Sequence, residues 1–154
     1  MTRRYAEQTE VSVDRSRAEI ERILQRYGAS AFQYGWTNEP PQSVIQFVAN
    51  NRIIRFVLPM PREEEFKSTE KGKPRSKSVA TKAWEQACRQ RWRALTLAIK
   101  AKLEAVEIGI SEFEEEFLAF IVDPNTNEIV GDIIRPQLSG EVSGPLMLGV
   151  SQRK

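Results

Sequence analysis

Between residues 79 and 110 apolar side chains recur every three or four positions. Trp84, Cys88, Trp92, Leu95, Ile99, Leu103, Val106 and Ile110 are separated by 4, 4, 3, 4, 4, 3 and 4 residues. At about 100° per residue they fall in one sector roughly 100° wide, the stripe of a helix lying on a core. The spacing predicts a long helix over about 79–108, stopped by Gly109. An earlier segment, DRSRAEIERILQRYG, places Ile20, Ile23, Leu24 and Tyr27 on one face, with Gly28 as its stop. Ser16 and Glu19 have capping-box spacing, and Ser12 and Asp14 are earlier candidate starts.

Between the two helices the period changes to two. Phe32, Tyr34 and Trp36 alternate with Ala31, Gln33 and Gly35, until TNEPP breaks the run. SVIQFVA and RIIRFVLP then flank Asn50–Asn51, a pair that tolerates the positive φ of a tight hairpin. Beyond the long helix, Ser111 and Glu114 match a second capping box ahead of a short helix with Phe113, Phe117 and Ile121 inward. DPNTNE reads as a turn and IVGDII as a strand. The order helix, strands, long helix, short helix, strand predicts an α+β fold. A small antiparallel sheet packs against one long amphipathic helix, with shorter helices beside it. The expected organisation is a polar arm at 1–12, one domain at 13–135 and an extended tail at 136–154. Within the domain, residues 61–78 are rich in Lys, Glu, Ser and Pro and read as a mobile basic loop.

Composition narrows the chemistry. The 154 residues contain no histidine, which removes His-based nucleophilic catalysis and zinc sites with His ligands. The lone Cys88 falls on the apolar stripe, where a thiol packs as a small hydrophobe and fits a reducing cytoplasm. No window is apolar enough to span a membrane, and the N-terminus lacks the apolar core of a signal peptide. No Gly-rich phosphate loop is present, and no cofactor or metal is expected.

The net charge of +2 conceals two blocks. Lys67 to Lys102 holds eleven basic residues against Glu70 and Glu85, a net of +9; Leu103 to Asp132 holds nine acids and no Lys or Arg. On the long helix Lys82, Arg89, Arg93 and Lys100 lie within about 40° of one another, beside the stripe and along roughly 27 Å. The preceding loop adds Lys71, Lys73, Arg75 and Lys77. Row and loop together suit a phosphate backbone. The same charges would also form an ordinary solvated face, since Arg and Lys stems favour helices and cover apolar surface. A third possibility is pairing of the acidic block with the basic one, within a monomer or between copies. Phe32, Tyr34 and Trp36 have the spacing for stacking splayed bases, although a buried strand face looks the same. The carboxylates from Glu104 to Glu116 could bind Mg²⁺ for phosphodiester cleavage, but they match no nuclease spacing.

The stretches TEVSVDRSRAEIERILQRYGA and EQACRQRWRALTLAIKAKLEAVEIGISEFEEEFLAFIV resemble small proteins of tailed-phage and prophage genomes. The resemblance carries no catalytic residue and no named activity. It implies a protein of the host cytoplasm that serves replication or recombination, or inhibits a host defence. The expectation is therefore a non-enzymatic phage protein that binds single-stranded nucleic acid, DNA first, with low sequence specificity, and that self-associates. The alternative is a protein–protein module or inhibitor that docks on a host or phage protein through its acidic segment. A metal-dependent nuclease is the minor alternative.

Overall fold

The computed structural model describes residues 2–138 and 140, with side chains from residue 14 onward. Helix α1 (Thr2–Arg26) leads into strands β1 (Ala31–Asn38), β2 (Pro41–Ala49) and β3 (Arg52–Pro59). Helix α2 (Lys77–Ile108) follows, then the short helices α3 (Phe113–Phe117) and α4 (Val130–Ile134). The predicted α+β architecture is present: a three-stranded antiparallel meander, in the order β1-β2-β3, packed against helices of which α2 is the longest.

Alternation sets the two faces of the sheet. Phe32, Phe47 and Ile54 are register partners across the three strands, as are Tyr34, Ile45 and Phe56, and all lie on the core side. Asn50 and Asn51 adopt φ of 51° and 60°, as a two-residue hairpin requires. The β1–β2 turn is tighter than TNEPP suggested: only Glu39 and Pro40 separate the strands, and Asn38 pairs with Pro41. Proline is tolerated there because it opens the strand. The carbonyl of Pro41 still accepts the Met60 N–H at 3.0 Å.

Helices α1 and α2 share the inner face of the sheet. Ile20 and Leu24 of α1 join Trp84, Cys88, Trp92, Ile99 and Leu103 of α2 in one core with Ile45, Phe47, Ile54 and Phe117. Trp92 is fully buried, with its ring 5.8 Å from that of Tyr34. Its indole N–H has no hydrogen-bond partner among the described residues. Trp84, by contrast, donates its indole N–H to the Pro61 carbonyl at 2.8 Å. Gly28 and Gly109 end their helices at φ of 95° and 89°. In each case the next residue's N–H reaches back to close a Schellman motif: Ala29 to the Leu24 carbonyl, Ile110 to that of Ala105.

Four expectations need correction. Helix α1 starts at Thr2, so it passes through the Ser16–Glu19 capping box and takes in the predicted arm. TRRYAEQTEVSV contains neither Gly nor Pro and is rich in helix formers, so nothing in it stops the helix. The N-cap of α3 is Glu112 rather than Ser111; the Glu112 N–H donates to the Glu115 carboxylate at 3.1 Å, one residue past the predicted box. IVGDII is largely helix α4, and only Ile129 makes a bridge, to Val122. Six apolar-rich residues fit either period, and tertiary packing takes the helical one, with Gly131 so close to the neighbouring chain that a Cβ there would stand 2.8 Å from the Ala119 carbonyl oxygen. Ile110, the last residue of the predicted stripe, is 69% exposed because Gly109 turns the chain before it. The predicted tail lies outside the described residues except for a turn of 3-10 helix at Arg135–Gln137, Leu138 and Gly140.

Replacing Trp92 by Ala should destabilise the protein by about 3–5 kcal/mol in denaturant unfolding. Trp92→Phe should cost clearly less, since it keeps most of the ring and removes an unpaired N–H.

Candidate nucleic-acid interface

With its apolar stripe against the sheet, α2 is left with two flanks. On the flank toward β3, Arg91 donates to the Pro59 carbonyl at 2.5 Å. Lys102 on that flank donates to the Glu116 carbonyl at 3.0 Å and lies 5.3 Å from the centre of the Phe120 ring. Both cations are thus committed to packing. The other flank meets α1, and there Lys82, Arg89, Arg93 and Lys100 all emerge exposed, in the predicted row.

Helix α1 lies alongside in the same direction. Glu19 reaches Lys100, and eight residues later Tyr27 donates its hydroxyl to the Leu103 carbonyl at 2.6 Å. Burial and the neighbouring Glu107 carboxylate push the Tyr27 hydroxyl pKa upward, so the donor stays protonated. On the α1 wheel, Arg15, Arg22 and Arg26 fall within about 40° of one another, next to the edge that carries Glu19. All three are exposed. Reading α1 by its apolar face alone misses this second row. The signal was the spacing of Arg15, Arg22 and Arg26 by seven and four residues.

Two basic rows therefore border one groove between the helices. Of the α2 row, Lys82 and Arg93 make no hydrogen bond or ion pair with a described residue. Arg89 donates to the Gln86 amide at 3.3 Å. Among the described residues only Lys100 of the row is ion-paired, to Glu19 at 2.5 Å. The hydrogen bond from Lys100 holds the Glu19 carboxyl below its usual pKa against an opposing cost of burial, and Arg22 and Arg93 add to the lowering.

The loop residues divide differently. Lys71, Lys73 and Lys77 are exposed, but Arg75 is half-buried and donates to the carbonyls of Phe66 and Ser68 at 3.2 and 3.4 Å. The segment 61–78 has its own backbone order. Thr69 donates to Lys73, Gly72 to Thr69 and Arg75 to Lys67. Glu63 and Glu64 line the same hollow as Lys67, Arg75 and Lys77, so much of the local positive charge is balanced. The charge at Lys71 and Lys73, on the turn, remains.

Phe32 and Tyr34 turn into the core, where Arg17 also covers the Tyr34 ring at 4.5 Å. Trp36 is the most open of the three, 36% exposed. The acidic block sits at the far end of α2. Glu114 pairs with Arg52 at 2.8 Å and Glu116 with Lys102 at 3.6 Å, while Glu104 and Glu107 are exposed. Of the basic block, only Lys102 pairs with it among the described residues. No group of three or more Cys, Asp or Glu with metal-holding geometry occurs among the described residues. No described helix is long and apolar enough to cross a membrane. Comparison with family models, curated proteins and solved structures finds no match.

Two titrations check this geometry. Lys100→Gln should raise the Glu19 pKa toward the usual carboxylate value, followed by carboxyl-resolved NMR. Because the folded-state pKa is depressed, the stabilisation this pair gives is present above the unfolded-state pKa and is lost as pH falls through the folded one. Burial pushes the Cys88 thiol up to about 12, so it should not react with a thiol reagent at pH 8 until the protein is unfolded.

Proposed function

We propose that this is a non-enzymatic nucleic-acid-binding protein that holds a single strand along the α1–α2 groove with little sequence preference. The observation that carries the reading is the open flank of α2. There Lys82, Arg89 and Arg93 stand exposed, without a carboxylate partner among the described residues, across the groove from the Arg15, Arg22 and Arg26 row of α1. Phosphate contacts of this kind position a strand without reading its bases. A single strand fits better than duplex because α2 is held by the sheet on one side and α1 on the other. A major-groove reader presents the exposed face of a recognition helix within a unit such as a helix-turn-helix, and the described fold contains no such unit. Lys71 and Lys73 extend the surface beyond the N-terminus of α2, and Arg75 is left out because its guanidinium serves the loop. Phe32 and Tyr34 are also left out, their faces being occupied by the core. A role in phage or prophage replication or recombination is part of the proposal and rests on the resemblance to proteins of such genomes.

A second reading has its own observation. Ile108 and Ile110 are 66% and 69% exposed beside Glu104, Glu107 and Glu112, an apolar pair with an acidic rim that suits a basic protein partner.

A labelled oligonucleotide titrated by fluorescence anisotropy tests the first reading. With about five phosphates neutralised, affinity should fall about 100-fold between 50 and 200 mM salt. Arg89→Glu with Arg93→Glu should weaken binding at least about 100-fold while the circular dichroism spectrum is unchanged. Absence of binding by the unaltered protein at low salt rejects the reading and leaves the acidic end as the interaction surface. Binding unchanged in the double variant rejects the residue assignment.

A further inference from the structure

Glu19 is an acid set among cations. Its Oε1 accepts from Lys100 Nζ at 2.5 Å, with both side chains close to half exposed. Arg22 lies one turn further along α1, and Arg93 lies on the α2 flank two turns before Lys100. Both bear electrostatically on the same carboxylate. One cation from α2 thus bonds the anion directly, and two more, one from each helix, act on it through space, Arg22 with its Nε on the Ala18 carbonyl at 3.4 Å. From Arg89 to Lys100, α2 has no acid at all. Of the nearby α1 acids, Asp14 is bonded to Arg17 at 2.8 Å, and Glu21 falls on the opposite side of the helix by its spacing.

A carboxylate and a phosphodiester offer the same thing to an ammonium or guanidinium group: anionic oxygens that accept charge-assisted hydrogen bonds. The arrangement around Glu19 is therefore an oxyanion site with an internal occupant. The occupant is also weakly held, because an exposed ion pair gains little net stability over its hydrated partners. A phosphate approaching along the groove meets no fixed barrier to exchanging with it. After exchange, Arg22, Arg93 and Lys100 face the phosphate, and the Glu19 side chain turns to solvent.

We propose that Arg22, Arg93 and Lys100 form a phosphate subsite at the α1–α2 junction, and that Glu19 is its resident competitor, displaced when nucleic acid binds. The inference rests on the nucleic-acid reading of the groove and adds to it a specific site and a device that sets its affinity. The plainer role for Glu19 is to tie α1 to α2. The two roles differ in sign: loss of a tie leaves strand binding unchanged or weaker, whereas loss of a competitor strengthens it.

The test is a double-mutant cycle on binding of a fluorescein-labelled oligothymidylate, with Glu19→Gln, Lys100→Gln and the two combined. Glu128→Gln is the control, since that exposed carboxylate lies in the turn before α4 and away from the groove. Glu19→Gln should tighten binding about 3- to 10-fold and steepen the dependence of log affinity on log salt by roughly 0.7, the release of one further counterion. Lys100→Gln should weaken binding more in the Glu19→Gln background than in the unaltered protein. Glu128→Gln should change affinity less than about 2-fold, by the usual screening of remote exposed charge. If the unaltered protein binds but Glu19→Gln matches Glu128→Gln, or the cycle is additive, the competitor is overturned and the groove reading stands. If neither the unaltered protein nor Glu19→Gln binds at low salt, both fall together.

Discussion

The seating of the α2 apolar stripe on one face of a three-stranded sheet constrains everything else in the molecule. Trp84, Cys88, Trp92, Ile99 and Leu103 fill the space above Ile45, Phe47 and Ile54. A helix fixed along that line cannot rotate, because a turn of even one residue would lift its indoles out of the core. Its two flanks are thereby assigned. The flank toward β3 meets the loop after Pro59 and helix α3, where backbone carbonyls and aromatic rings absorb Arg91 and Lys102. The flank toward α1 offers no such acceptors, and its cations stay at the surface.

That division gives the charge segregation a physical form. The basic and acidic blocks are adjacent in sequence, and α2, a rod of 32 residues about 48 Å long, lays the basic one along most of its length and leaves the acidic one at and beyond its C-terminal end. They meet at Lys102 and Glu116, where the rod is crossed by α3. The turn at Gly109 lets α3 fold back only as far as Lys102, and that is the one ion pair between the two blocks among the described residues. Where cations and an acid do share the groove, the acid comes from α1. Glu19 stands where α1 presents a carboxylate to Lys100 of α2.

The loop at 61–78 has the opposite character. Its sequence suggests an unstructured basic segment, but Trp84 anchors its start through the Pro61 carbonyl, and Arg75 organises its end from within. Arginine in a loop can bind an outside anion or its own chain's carbonyls, and composition alone does not tell which. Here three Glu residues precede the basic run in a turn of 3-10 helix, which brings acids and cations back to the same hollow.

Elements with long periods, or with turns that demand special backbone, were legible in the chain alone. The α2 stripe, the hairpin at Asn50–Asn51 and the stops at Gly28 and Gly109 follow from local sterics and from the need to bury one face. The exposed placement of Lys82, Arg89, Arg93 and Lys100 was legible for the same reason, since residues beside a buried stripe must lie at its edge. Short pieces were not legible. Six residues at 129–134 fit two periods, and five of them form helix α4 where Gly131 packs closely on Ala119. It took the packing of the whole molecule to choose which helix flank lies against α1. That choice brought Arg15, Arg22 and Arg26 to the side of the α2 row and placed Glu19 on Lys100. Contacts between residues about eighty positions apart depend on how two helices are laid on a common sheet, and periodicity within either helix holds no record of that.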